Sequence, residues 1–214
     1  MTPPDRPDPQ DDRPARHLAL TAEAVKVLAH PLRSRLLGAL RRDGPASATA
    51  LAATLTSNTG ATSYHLRRLE GVGLVEDTGE GRGKERIWRA STEAHSWENT
   101  AFDDDEDART AVDWLVRDYH RQFDDHYSRW LDAADAWPDA WRDVSGMSDT
   151  WVEVTPEQAE AMDAEIAAVL RRYASAGRGD TAARRVQVWR FAFPLDPSDV
   201  PDAPDGRHDL EEPR

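Results

Sequence analysis

The sequence contains no cysteine. Disulfides, thiolate metal sites and a thiol nucleophile are excluded together. Lysine occurs only as Lys26 and Lys84, so arginine carries nearly all the positive charge. No stretch approaches the roughly 18 apolar residues of a spanning helix, and the first residues have no signal-peptide hydrophobic region. A cytoplasmic protein without membrane contact is expected. There is no phosphate-binding loop, no Rossmann glycine pattern, no HExxH and no GxSxG. His120 and His126, six residues apart, do not share a helix face. No catalytic residue and no cofactor are expected.

What is present is charge, unevenly placed. The 214 residues suffice for one large or two small domains, with a formal net charge of −13. Residues 17–90 hold 11 basic and 7 acidic side chains, a balance of +4, whereas 91–214 hold 13 and 29, a balance of −16. A mildly basic module is joined to a strongly acidic one, and the overall acidity hides a surface suited to nucleic acid.

The basic module centres on residues 47–90. Ser47 is placed to cap a first helix with Ala50, Leu51 and Leu55 on its apolar stripe. Thr56-Ser57-Asn58 reads as a turn, with Asn58 capping a second helix from Thr59 to about Glu70. Thr62, Leu66 and Leu69 share the inward face of that helix. Gly60, Ser63, Tyr64 and Arg67 point outward, with Arg68 on the flank. Small, hydroxyl, aromatic and guanidinium groups on one face suit the major groove, where Arg takes guanine through two parallel hydrogen bonds. A strand then begins at Leu74-Val75, and Gly79 to Lys84 forms a flexible tip. Ile87-Trp88 lies in the return strand. This basic hairpin, with Arg82, Lys84 and Arg86, is expected to be a wing. The candidate DNA-binding set is Asn58, Thr59, Gly60, Ser63, Tyr64, Arg67, Arg68, Arg82, Lys84 and Arg86.

Two helices precede this unit. Thr21 caps the first, and His30-Pro31 breaks it. Pro31 starts the second, whose core face is Leu32, Leu36, Leu37 and Leu40.

Taken in order, Leu28-Ala29-His30-Pro31-Leu32-Arg33, Leu36-Leu37, Leu51-Ala52, Ser63-Tyr64-His65-Leu66, Leu69 and Gly73-Leu74-Val75 resemble the winged helix-turn-helix domain of the ArsR/SmtB-type bacterial repressors. The resemblance spans residues 21–90, about a third of the chain. It implies double-stranded DNA as partner and a transcriptional regulator, most simply a repressor. It also implies fold roles for His30 and His65. Metal-sensing members of that family use cysteine thiolates, which this chain lacks. The signal stays open.

The remainder reads as helix followed by β-α-β. Asp103 to Asp107 is a carboxylate run lacking the spacing of a calcium loop, and it suits a helix entrance. No metal site is expected. From 107 to 137, Val112, Val116, Tyr119, Phe123, His126, Trp130, Ala133 and Trp137 recur at steps of four and three, a heptad seam. It fits a dimer strut or packing on its own domain. The family's habit of dimerising through flanking helices favours the strut, with Val112, Val116, Tyr119, Phe123, Trp130 and Trp137 at the interface of a homodimer. His126 on that seam is either a pH-sensitive contact or a hydrogen-bonded core histidine. Residues 149–154 and 185–193 alternate as strands around a helix capped by Thr155 with Pro156 and Gln158.

Seven of the eight Trp residues follow residue 90. They build either a small core or an aromatic pocket for a small organic effector. The expected fold is α+β and mostly α: a winged domain at 17–90, an acidic dimerisation or effector region at 91–195, and disordered tails at 1–16 and 196–214. A winged-helix module for protein–protein interaction, with DNA binding weak or lost, is the alternative.

Overall fold

The computed structural model describes residues 17–83 and 85–194. Both expected tails and Lys84 lie outside the described residues. The chain divides into a unit Met1–Arg178 and a unit Gly179–Arg214.

The first unit opens with strand β1 (His17–Ala19) and helices α1 (Ala22–Leu28) and α2 (Pro31–Asp43). Thr21 Oγ1 accepts from the Ala24 N–H at 3.2 Å and fixes the start of α1. His30 breaks the chain between the helices and caps α2, its Nδ1 accepting from the Leu32 N–H at 3.1 Å. Pro31 follows in the first turn, where an N–H has no helical partner to lose. Gly44, at φ 90°, ends α2 in a conformation that side chains disfavour.

Strand β2 (Ala46–Ser47), helix α3 (Ala48–Thr54), helix α4 (Thr59–Glu70), and strands β3 (Val75–Asp77) and β4 (Ile87–Ala90) complete the winged domain. The antiparallel sheet has the order β2-β4-β3, with Ala46 opposite Trp88 and Val75 opposite Ala90. Leu28, Leu36, Leu66, Leu69 and Leu74 are fully buried in its core. Each such leucine contributes about 1.5–3 kcal/mol through burial. Ala50, expected on the apolar stripe of its helix, is instead exposed.

Strand β5 (Ala94–Ser96) runs parallel to β1, an unexpected pairing that returns the chain to its beginning. A 3-10 turn (Asn99–Phe102) leads to α5 (Glu106–Ala133). The acidic run is indeed a helix entrance. Asp105 Oδ1 accepts from the Ala108 N–H at 2.9 Å, and Oδ2 pairs with Lys26 at 3.0 Å. Those bonds, the backbone one foremost, hold the Asp105 carboxyl below its ordinary range.

The first half of α5 is part of the winged domain's core. Ala108, Ala111 and Leu115 are buried, and the helix packs on α1. Own-domain packing, one of the two readings of the seam, therefore holds for this half. A 3-10 turn (Ala134–Ala136) and a short α6 (Asp139–Val144) follow, separated by Pro138.

Helix α7 (Pro156–Tyr173) starts with the expected reciprocal cap. Gln158 N–H donates to Thr155 Oγ1, and Thr155 N–H donates to Gln158 Oε1. The flanking strands are a correction. Residues 149–154 and 185–193 adopt no strand, and Trp151, Val152, Val186 and Val188 are exposed. An alternating sequence supplies faces but not a partner edge, and a ladder needs both. Within the second unit, Asp180 closes a turn by accepting from the Ala182 N–H at 2.8 Å, and Trp189 stacks near Phe191 with centroids 6.4 Å apart.

Candidate nucleic-acid interface

Helix α4 is held from within and open outward. Thr62, Leu66 and Leu69 are buried against the domain. Asn58 Oδ1 accepts from the Ala61 N–H at 2.8 Å, so this oxygen is committed to the cap and the amide nitrogen is left for other partners. The turn from α3 passes through Thr56 at φ 52°. A β-branched residue is strained there, and the Ser57 N–H bond to the Ala52 carbonyl at 2.9 Å helps hold it.

Thr59, Gly60, Tyr64, Arg67 and Arg68 are exposed, and Ser63 is half-buried. Tyr64 retains 57% of its surface, a large value for an aromatic side chain on a folded domain. A Cβ on Gly60 would meet only Asn58 Oδ1, at 3.4 Å. The domain's own packing does not demand glycine there.

The sequence pattern did not single out Arg33. This half-buried side chain from α2 donates through Nε to the Val27 carbonyl, and its Nη1 lies 3.4 Å from His65 Nδ1. Burial, then the nearby charge of Arg68, lower the affinity of its guanidinium for a proton. Two like charges behind and beside the exposed face make it attractive to anions. Arg33 lies off the apolar Leu32, Leu36, Leu37 and Leu40 face of α2, and only the α2–α4 crossing brings it to Arg68.

The wing is built differently from its sequence expectation in one respect. Arg82 is exposed at the tip, as expected. Arg86 is tied to the hairpin base. It pairs with Asp77 at 3.4 Å and Glu70 at 3.6 Å, and its guanidinium lies 5.6 Å from the Trp88 ring centroid. It joins wing to α4 and offers DNA only the half of its side chain left exposed. Gly81 is required locally, since a Cβ there would overlap the Glu85 carbonyl.

The six seam residues fall into two groups. Val112 and Tyr119 pack against the domain core, and Val116 is 52% exposed. Phe123, Trp130 and Trp137 lie further out and are half-buried among neighbouring rings. Phe123 stacks with Tyr127 at 5.7 Å, and Trp137 lies 5.8 Å from Trp130 and 6.3 Å from Trp141. His126 is half-buried on the same stretch. The tryptophans after residue 90 do not assemble into one cluster. Trp97 packs near His95 and Tyr119, and Trp151 is exposed. A cleft of about 280 Å³ between α2 and α5 is lined by Pro31, Arg35, Asp118, Arg121, Gln122, Asp124 and Asp125, with no aromatic residue. Among the described residues, no group of three or more His, Asp or Glu is arranged to hold a metal ion. No helix among them is long and apolar enough to cross a membrane.

Residues 28–78 match the family described as helix-turn-helix domain. The chain is also similar to the solution structure of a homodimeric winged helix-turn-helix DNA-binding domain from Mycobacterium bovis, described as a possible ArsR-family transcriptional regulator. The two are 26% identical, over 46% of this chain and 79% of that one, with a TM-score of 0.32. No curated protein matches the chain. Residues 28–78 form a helix-turn-helix domain, and the β3–β4 hairpin that follows α4 makes it a winged one.

Proposed function

We propose that this protein is a homodimeric, sequence-specific DNA-binding transcriptional regulator of the ArsR-like type, acting as a repressor and not as an enzyme. The observation that carries the reading is the exposed face of α4, with Tyr64, Arg67 and Arg68 outward and Arg33 behind them. In such a domain the second helix of the motif lies in the major groove while the wing meets the backbone or minor groove. Arg67 and Ser63 read base edges, Tyr64, Thr59 and Arg68 contact the edges of the groove, and Gly60 admits the helix N-terminus. Arg82 and Lys84 meet phosphates. The aromatic outer part of α5, with Phe123 and Trp130, and Trp137 just beyond its end, supports a second copy as partner.

The test is a gel shift on fragments surrounding the protein's own gene, at two salt concentrations. Tight binding to one fragment, weakening steeply with salt, is the expected result. Equal, weak binding to every fragment overturns sequence specificity. The acidic balance of residues 91–214 favours a second reading, a protein-interaction module, which gains ground if no fragment binds at low salt.

If the acidic region senses a signal, a small organic effector is one compatible with a chain free of thiolates; the alternative is that the region only fixes the dimer. A compound that quenches tryptophan fluorescence and releases DNA in parallel identifies it.

A further inference from the structure

One polar chain in the molecule has no part in DNA contact. Arg41 of α2 turns away from solvent. Its Nε donates to the Thr92 carbonyl at 2.9 Å and its Nη2 to Thr92 Oγ1 at 3.1 Å. Its Nη1 lies 2.7 Å from His95 Nδ1. On the other side of the imidazole, His95 Nε2 lies 2.6 Å from the Tyr119 hydroxyl. Tyr119 belongs to α5, and its ring also lies 6.3 Å from that of Trp97.

The proton positions follow from the chemistry of the groups. A guanidinium has donors only, so His95 Nδ1 accepts from Arg41. The ring proton then sits on Nε2 and is donated to the Tyr119 oxygen. Burial lowers the Arg41 pKa to about 10, against the opposing influence of Tyr119 and Glu93, so the guanidinium stays charged at neutral pH. Burial raises that of Tyr119, so the phenol stays neutral. The chain is continuous, short and polar across three elements: α2, β5 and α5.

We infer that Arg41, His95 and Tyr119 are positioning residues that fix the direction in which α5 leaves the winged domain, and through it the half-site spacing that the dimer accepts. Apolar contacts of Ala108, Ala111 and Leu115 secure the helix but tolerate sliding and rotation. Small residues make smooth surfaces, whereas hydrogen bonds at 2.6–2.7 Å do not stretch by an ångström without breaking. The Tyr119 bond sits one turn beyond the last buried apolar residue, Leu115, beside a second polar tie to α2 in which Ser34 Oγ donates to Asp118 Oδ2 at 2.7 Å and accepts from Gln122 Nε2 at 3.0 Å. The part concerning DNA spacing rests on the function proposed above; the part concerning helix direction does not.

The absence of native cysteine permits a direct test. Ala53→Cys on α3 and Ser128→Cys on α5, both exposed positions, accept a pair of spin labels in the full chain. Dilution with unlabelled protein isolates the distance within one chain. Tyr119→Phe removes one hydroxyl and keeps the ring; Arg41→Lys keeps the charge and loses the fork. The expected result is a single narrow distance in the parent. Either variant broadens or shifts it while helical content is retained. An unchanged distribution in both folded variants overturns the inference, whatever happens to their melting temperatures.

Imidazole nitrogen NMR gives a second readout, expected to find a bare Nδ1 and a protonated Nε2 on His95. The reverse tautomer overturns the bonding scheme. A binding series on half-sites separated by different spacers supplies the DNA arm. The parent is expected to prefer one spacing, and Tyr119→Phe to accept spacings one base pair away with about tenfold less discrimination. If the parent binds no DNA while the distances still broaden, the regulator reading falls and the positioning role stands.

Discussion

His30 and His65 face one another across the α2–α4 contact, with ring centroids 4.4 Å apart. His30 caps α2, and His65 lies on the helix proposed to read DNA. Burial is the largest cause holding the pKa of each below its ordinary value. Arg33 adds to this for His30, and His30 and then Arg33 do so for His65. A cation on either ring would meet a second ring or a guanidinium at short range, so the arrangement requires both to be neutral.

The first prediction follows from the sign of those shifts. The unfolded chain takes up protons on these histidines near pH 6.5, before the folded chain does. The associated stability is complete above that pH and is lost as pH falls through the lowered folded values. The melting temperature should drop between pH 7.5 and 5.5. His30→Asn, which retains a capping acceptor, should flatten that drop. A drop of undiminished size in His30→Asn contradicts this assignment.

Arg67→Ala is expected to cost about 1–3 kcal/mol at the preferred DNA site and to relax specificity there. Competition binding against single-base variants of the site measures both. Equal discrimination by parent and variant removes Arg67 from base reading.

The two described wing arginines should behave differently. Arg82→Ala should weaken all sequences alike and reduce the salt slope by about one unit for each phosphate it no longer neutralises. Arg86→Ala should lower thermal stability, because it releases Glu70, Asp77 and the Trp88 face together. Salt titrations and melting curves on both variants separate these roles.

Thr62 offers a prediction independent of DNA. Its hydroxyl is fully buried and has no hydrogen-bond partner among the described residues. Leaving such a group unsatisfied costs about 1–3 kcal/mol, so Thr62→Val should be neutral or stabilising. A large loss of stability in urea unfolding would indicate that the hydroxyl is bonded after all.

Phe123→Asp with Trp130→Asp should produce monomers and lower DNA affinity. Sedimentation at tens of micromolar reads the first effect and gel shift the second. A parent protein that is monomeric at this concentration removes the dimer.

Local signals carried most of the winged domain. Thr21, Ser47, Asn58 and Thr155 cap helices as their side-chain chemistry dictates, and the Thr62, Leu66, Leu69 spacing identified the inward face of α4. What escaped was non-local. β1 and β5 are too short for alternation to be visible, and their parallel pairing joins residues 17 and 94. The ion pairs that draw Arg86 inward come from Glu70 and Asp77, and no sequence period links those positions to it. Arg33 reaches the surface proposed to face DNA only through a helix crossing. At 149–154 and 185–193 the period of two was present without a neighbouring strand, and a pattern alone does not create a ladder.

Helix α5 is rooted at one end. Gln122 Nε2 donates to Ser34 Oγ at 3.0 Å, and the helix continues from there to Ala133. The outer segment is roughly 16 Å long at 1.5 Å per residue. By geometry alone, a tilt of about 10° at Gln122 would displace the tip by about 3 Å. A change of helix direction near Tyr119 would be enlarged at that tip, next to Trp130 and, just past the helix end, Trp137.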